Sequence, residues 1–141
     1  MPLITVTFAT PNNAVVKTAD IAAEVSRLSE RALHKDPKVT AVVVSRANPD
    51  DWFCAGRSLT DERRASFWLD IHVTDGTNSK DEKAAFIAAA FAAMERLLGP
   101  LHAESYVHVH DVRADAYGYG GQTQERRYIA RQLASPASAA A

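Results

Sequence analysis

A single cysteine, Cys54, stands in the 141-residue chain, so no intrachain disulfide can form and the fold must rest on an apolar core. One isolated thiol fits a reducing compartment and packs as a small hydrophobe. Neither sign of charge dominates: Lys plus Arg number 16 against 17 for Asp plus Glu. Bulk electrostatics therefore draws the chain neither to nucleic acid nor to an anionic membrane. No apolar run is long enough to cross a bilayer, and the start Met-Pro-Leu-Ile-Thr-Val-Thr-Phe has neither the basic leader nor the apolar core of an export signal. The expectation is a cytoplasmic protein with no nucleic-acid and no membrane partner. Glycine is scarce, and Gly118-Tyr119-Gly120-Gly121 reads as flexible turn chemistry, because no strand-to-helix context for a phosphate loop follows it.

What is present is patterned. Ile4, Val6 and Phe8 alternate within a β-branched run over residues 3 to 9, which predicts a strand. Thr18 and Asp20 offer a helix start, and Ile21, Val25, Leu28 and Ala32 then recur as one apolar stripe. Pro37 ends that helix near Lys35, and the Val-rich run from Val39 to Ser45 reads as a strand buried on both faces. Residues 46 to 65 read as a connection. The pattern then begins again: a strand over Phe67 to Val73, a capping box of Ser79 with Glu82, an Ala-rich helix over about 80 to 98, a Gly99-Pro100 stop and a strand over Ser105 to Asp111.

Two β-α-β units, about 2–56 and 66–121, predict an α+β fold with one four-stranded sheet and both helices on one face. They form a single domain over 1–134 that includes a C-terminal extension, with a disordered tail over 135–141. A sheet covered on one side must bury its other face elsewhere, so a homo-oligomer is expected.

This chain resembles the tautomerase superfamily over residues 2 to about 121, and most closely its macrophage migration inhibitory factor branch. The initiator Met followed by Pro2-Leu3-Ile4 carries the likeness. So do Lys35-Asp36-Pro37, which resembles a Lys-Pro-Pro segment; Tyr106-Val107-His108-Val109-His110-Asp111, which resembles a Tyr-Ile-Asn-Tyr-Tyr-Asp strand; and Gly118-Tyr119, which resembles a Gly-Trp turn. Trp52-Phe53-Cys54-Ala55-Gly56 is similar to its Met-Ala-Phe-Gly-Gly segment. The resemblance implies a trimer without cofactor, in which Lys35 holds a substrate carboxylate and Tyr106 and His108 line a pocket from a neighbouring subunit. Three departures matter. His108 replaces Asn, Thr77 follows Gly76 where the 4-oxalocrotonate tautomerase and dehalogenase relatives have Arg, and Ala116 occupies the position of a water-activating Glu.

The expected activity is keto–enol tautomerisation of a small α-keto acid of the phenylpyruvate type. Pro2 would be the general base once Met1 is removed, since a free α-amine has a reference pKa of about 7.7–8 and lies near neutrality after modest desolvation. Tyr106 and His108 would polarise or position the enol oxygen. Alternatives are a decarboxylase on the same scaffold and a catalytically idle trimeric binding module. Each residue also has a plainer role: Pro2 as a strand-leading proline, Lys35 as a helix-end cation, and the Tyr106–His108–His110 face as a polar subunit contact. His108 and His110 stand as a metal pair would, but the sequence offers no third ligand at metal-site spacing, and no metal is expected.

Overall fold

The computed structural model describes residues 2–11 and 15–135. The expected state of Met1 and most of the expected tail, residues 136–141, lie outside the described residues. In chain order the elements are β1 (Leu3–Ala9), α1 (Thr18–Leu33), a 3-10 turn (Pro37–Val39), β2 (Ala41–Arg46), a second 3-10 turn (Pro49–Asp51), β3 (Phe53–Cys54), β4 (Arg57–Ser58), α2 (Leu59–Glu62), β5 (Ser66–Thr74), α3 (Lys80–Leu98), β6 (Tyr106–Val112), β7 (Gly118–Tyr119), β8 (Gln122–Thr123) and α4 (Gln124–Ala134).

The main sheet runs β2-β1-β5-β6. Strands β1 and β2 pair in parallel around α1, and β5 and β6 pair in parallel around α3; the two halves join where β1 meets β5 antiparallel. Strand side chains alternate between faces, and the apolar set of each strand turns the same way. Ile4, Val6 and Phe8 of β1 and Phe67, Leu69 and Ile71 of β5 are fully buried, and Ile21, Val25 and Leu33 of α1 and Phe86, Ala90 and Met94 of α3 close over them in one cluster. Each large side chain in that layer contributes about 1.5–3 kcal/mol by leaving water. Helix α3 begins in the capping box of Ser79 and Glu82, with both reciprocal bonds made. Helix α1 ends with His34 in the left-handed region at φ 59, and the next amide, of Lys35, bonds back to the Ser29 carbonyl.

The opposite face is open. It carries three rows set by strand register: Ala41–Leu3–His72–His110, Val43–Thr5–Asp70–His108 and Ser45–Thr7–Trp68–Tyr106. Leu3, Val43, Trp68 and Tyr106 are each about half exposed. Strand β2 is therefore not buried on both faces as its Val run suggested: Val42 and Val44 pack on the core, while Ala41, Val43 and Ser45 face out. A single helical layer cannot cover both sides of an edge strand. The connection after β2 holds a small hairpin, β3–β4, and Cys54 there packs with Ala9 and Leu59 as a small hydrophobe, its thiol pKa pushed up by burial and then by Glu104 and Glu62.

The core and the cap should separate by size. Ile71→Ala should lower the unfolding free energy by about 2–5 kcal/mol, and Ser79→Ala by about 1 kcal/mol, in urea titrations at one protein concentration. Equal losses would mean that the Ile71 side chain is not the core element described.

Candidate active site

Pro2 is buried at the entrance to β1, and its carbonyl accepts from the Ala41 amide at 3.2 Å. That bond and the Leu3–Ala41 pairing set Pro2 beside the segment that leads into β2. Asp36 caps the 3-10 turn there by accepting from the Lys38 amide at 2.9 Å. The result is one wall of a cavity of about 470 Å³, with Pro2, Leu3, Val39 and Ala41 apolar and Lys38 and Thr40 polar.

The facing wall is Tyr117, Gly118, Tyr119 and Gln124, from the β7–β8 hairpin and the first residue of α4. The Gly118–Gly121 run is thus part of an ordered hairpin, and a helix does follow it, contrary to the sequence expectation. Gly118 has no alternative: a Cβ there would lie 2.0 Å from the Gln122 carbonyl oxygen. Arg127 of α4 steadies the hairpin by lying 3.7 Å from the Tyr119 ring centroid and donating to the Tyr119 carbonyl at 3.0 Å. Burial pushes the Tyr117 phenol pKa up, and the Gln124 side chain beside it acts in the opposite sense.

Lys35 does not line this cavity. The left-handed cap at His34 turns the chain so that Lys35 Nζ donates to Thr77 Oγ1 at 3.0 Å. Burial lowers its pKa, with Glu82 and Asp111 opposing. The lysine on the wall is Lys38, three residues on.

Tyr106 and His108 lie on β6, separated from β1 by β5. With Trp52 and Trp68 they line a second cavity of about 340 Å³. Within one chain the structure does not bring them to Pro2. The Tyr106 hydroxyl donates to Glu104 at 3.1 Å, which raises the phenol pKa.

The residue that sequence reasoning missed here is Asp70. Its Oδ1 lies 3.0 Å from His108 Nδ1 and 2.9 Å from His110 Nε2. Burial alone would raise the carboxyl pKa, but hydrogen bonds from His110, His108 and Trp68 outweigh it and hold Asp70 below the usual carboxylate value. Asp70 supplies the third group that His-x-His lacked in sequence: the three ligand atoms lie within 4.8 Å of one another, a spacing open to a divalent ion, as do those of Cys54, His102 and Glu104. The signal was the alternation of β5, in which Trp68, Asp70 and His72 share the polar face.

No family model and no curated protein matches the sequence. Solved structures do. A wild-type fused 4-OT solved as a symmetric trimer has a TM-score of 0.73 at 16% identity, covering 87% of this chain and 96% of its own. Pt0534 inactivated by 2-oxo-3-pentynoate has a TM-score of 0.73 at 14% identity, with coverage of 89% and 98%. The macrophage migration inhibitory factor-like protein of Entamoeba histolytica has a TM-score of 0.68 at 17% identity, with coverage of 86% and 97%.

The chain has the tautomerase-superfamily fold.

At these identities the likeness establishes fold alone. Within that tautomerase fold, Pro2 occupies a cavity floor and the Tyr106–His108–His110 strand occupies the far edge of the sheet.

The Asp70 contacts set a pH window. A folded carboxyl pKa below the unfolded one contributes stability above the unfolded value of about 3.9 and loses it as pH falls through the folded value. Wild type should therefore be more stable than Asp70→Asn at pH 7, and the gap should close below about pH 4 in thermal melts. A gap independent of pH would show that the charge on Asp70 is not what the histidines engage.

Proposed function

We propose that this protein is a tautomerase that interconverts the keto and enol forms of a small α-keto acid of the phenylpyruvate type, with Pro2 as general base and a homotrimer as the working unit. The observation that carries the reading is a buried Pro2 in the lining of a cavity whose one cationic wall residue, among the described residues, is Lys38.

The chemistry follows from those two groups. Lys38 binds the substrate carboxylate and sets the adjacent carbonyl over the cavity floor. Pro2, its nitrogen a free secondary amine after loss of Met1, takes the proton from the carbon beside the carbonyl; that C–H electron pair becomes the enol double bond, and the C=O π pair forms the new O–H bond with a proton taken from solvent or a neighbouring acid. An amine whose reference pKa is about 7.7–8, partly desolvated and near an ammonium, is largely unprotonated at pH 7. With Met1 attached, the same nitrogen is an amide and has no available lone pair. The carboxylate role expected of Lys35 passes to Lys38, because Lys35 is engaged with Thr77.

Tyr106 and His108 act from the neighbouring subunit. Support comes from the open sheet face, where half-exposed Leu3, Val43, Trp68 and Tyr106 form a surface suited to burial against another copy. The fused 4-OT structure is a symmetric trimer. The inactivator named with Pt0534 is a 2-oxo carboxylate, the substrate class proposed here.

Light scattering should give about three times the 15.3 kDa chain mass; a stable monomer would remove the shared site. With intact mass confirming loss of Met1, Pro2→Ala should retain a fraction of phenylpyruvate tautomerase activity, and a form that keeps Met1 should have none. Lys38→Ala should raise KM about tenfold or more with little change in kcat, since the carboxylate contact exists in ground and transition states alike. Lys35→Ala should leave both constants near wild type, and the reverse result would return the carboxylate to Lys35. Full activity with Met1 retained would sink the mechanism.

A further inference from the structure

The Asp70 cluster does more than decorate the open sheet face. Asp70 sits directly opposite His108 in the β5–β6 register, and its Oδ1 is 3.0 Å from His108 Nδ1. Trp68 Nε1 also approaches that Nδ1, at 3.3 Å. One ring nitrogen cannot accept from the indole and donate to the carboxylate at once. The contest has a clear outcome. A neutral indole bond at the longer distance is the weaker of the two, and a charge-assisted bond to a carboxylate is roughly twice as strong. The losing arrangement would also set the Nδ1 lone pair against an anionic oxygen.

The neighbours hold the arrangement in place. Asp70 Oδ1 also engages His110 Nε2 at 2.9 Å, and the His110 ring is stacked on His72 at 4.7 Å and 12°. Among the described residues the titratable groups against His108 are Asp70 on β5 and Tyr106 and His110 on β6, with His72 stacked on His110 and Glu104 accepting from the Tyr106 hydroxyl. Among the described residues His108 Nε2 has no hydrogen bond, and His108 lines the cavity with Trp52, Trp68 and Tyr106.

We infer that Asp70 is a positioning residue that holds His108 in its Nδ1–H tautomer, so that His108 offers Nε2 to the substrate as a proton acceptor. The chemical half of this rests on the tautomerase reading above. In the enol-to-keto direction the enol O–H bond breaks and its proton goes to Nε2. The O–H electron pair becomes the C=O π bond, and the C=C pair takes a proton from protonated Pro2. The substrate loses one proton and gains one; Pro2 ends neutral, His108 ends as the imidazolium beside the Asp70 carboxylate, and return of that proton to Pro2 through water resets both. Division of labour follows: Pro2 serves carbon and His108 serves oxygen.

Imidazole 15N NMR of the full chain at about pH 8, above the reference imidazole pKa of about 6.5, decides the tautomer without any assay. With the resonances assigned by their loss in His108→Gln, wild type should show a protonated Nδ1 and an unprotonated Nε2 at His108. Asp70→Asn, whose amide can donate to Nδ1, should move the proton to Nε2. That variant should also lose about a hundredfold or more in kcat with KM little changed, and should cost nothing further in a His108→Ala background. A wild-type ring protonated at Nε2 would overturn the inference, and the wild-type spectrum decides this even if Asp70→Asn does not fold. So would an equal Asp70→Asn loss in the His108→Ala background, which would make Asp70 structural. Changes in the His108 and His110 resonances on EDTA treatment would replace it with a metal site. An inactive wild type that shows the Nδ1–H ring would sink the tautomerase reading and uphold the tautomer.

Discussion

The constraint on which the rest depends is that a strand has two faces and this sheet has only one layer of helix. Both helices must lie on the side where Ile4, Val6, Phe8, Leu69 and Ile71 point, because there the apolar area is large enough to fix them. Every other strand residue is then delivered to the far side, in rows set by backbone pairing. The chemistry of the open face is therefore a by-product of core formation. A one-residue slip in β5 would bury Asp70 and expose Ile71, abolishing core and cluster together.

The same geometry splits the functional groups. The parallel β1–β2 pair brings the entrance of β1, with Pro2, against the turn that carries Lys38, and the hairpin before α4 closes over both. Tyr106 and His108 ride on β6, with β5 between. Neighbouring strands are about 4.8 Å apart, so two strand spacings put these groups beyond contact within one chain. A proton-transfer site needs its base and its oxygen partner within about 3 Å of one substrate. The proposed trimer resolves that mismatch, and the exposed aromatic and aliphatic side chains on the open face supply the surface for it.

Asp70 and the Gly118 hairpin show two ways in which a scaffold aims side chains. At Asp70 the aim is electrostatic: one carboxylate lies within hydrogen-bond reach of His108 and His110 on the neighbouring strand, and by the inference above it fixes the tautomer of His108. At Gly118 it is steric, since only a residue without a Cβ lets the hairpin pass close enough to present Tyr117 and Gln124 to Pro2.

The doubled β-α-β order was legible because it is written in local periodicity: the alternation of Ile4, Val6 and Phe8, the stripe of Ile21, Val25 and Leu28, and the capping box at Ser79 all act within a few residues. Pro2, Tyr106 and His108 could likewise be marked as candidates by residue type and place in the chain. The tertiary structure decided what met what. Strand order put β5 between the two candidate sets and brought Asp70 to His108 across 38 residues. The left-handed turn at His34 sent Lys35 to Thr77 and left Lys38 facing Pro2. Helix α4 and the ordered hairpin before it went unread, because α4 is polar on average and only its first residue, Gln124, is buried, so no core-forming run marks it. Local sequence dictates the elements, while the register of strands far apart in the chain dictates which side chains share a site.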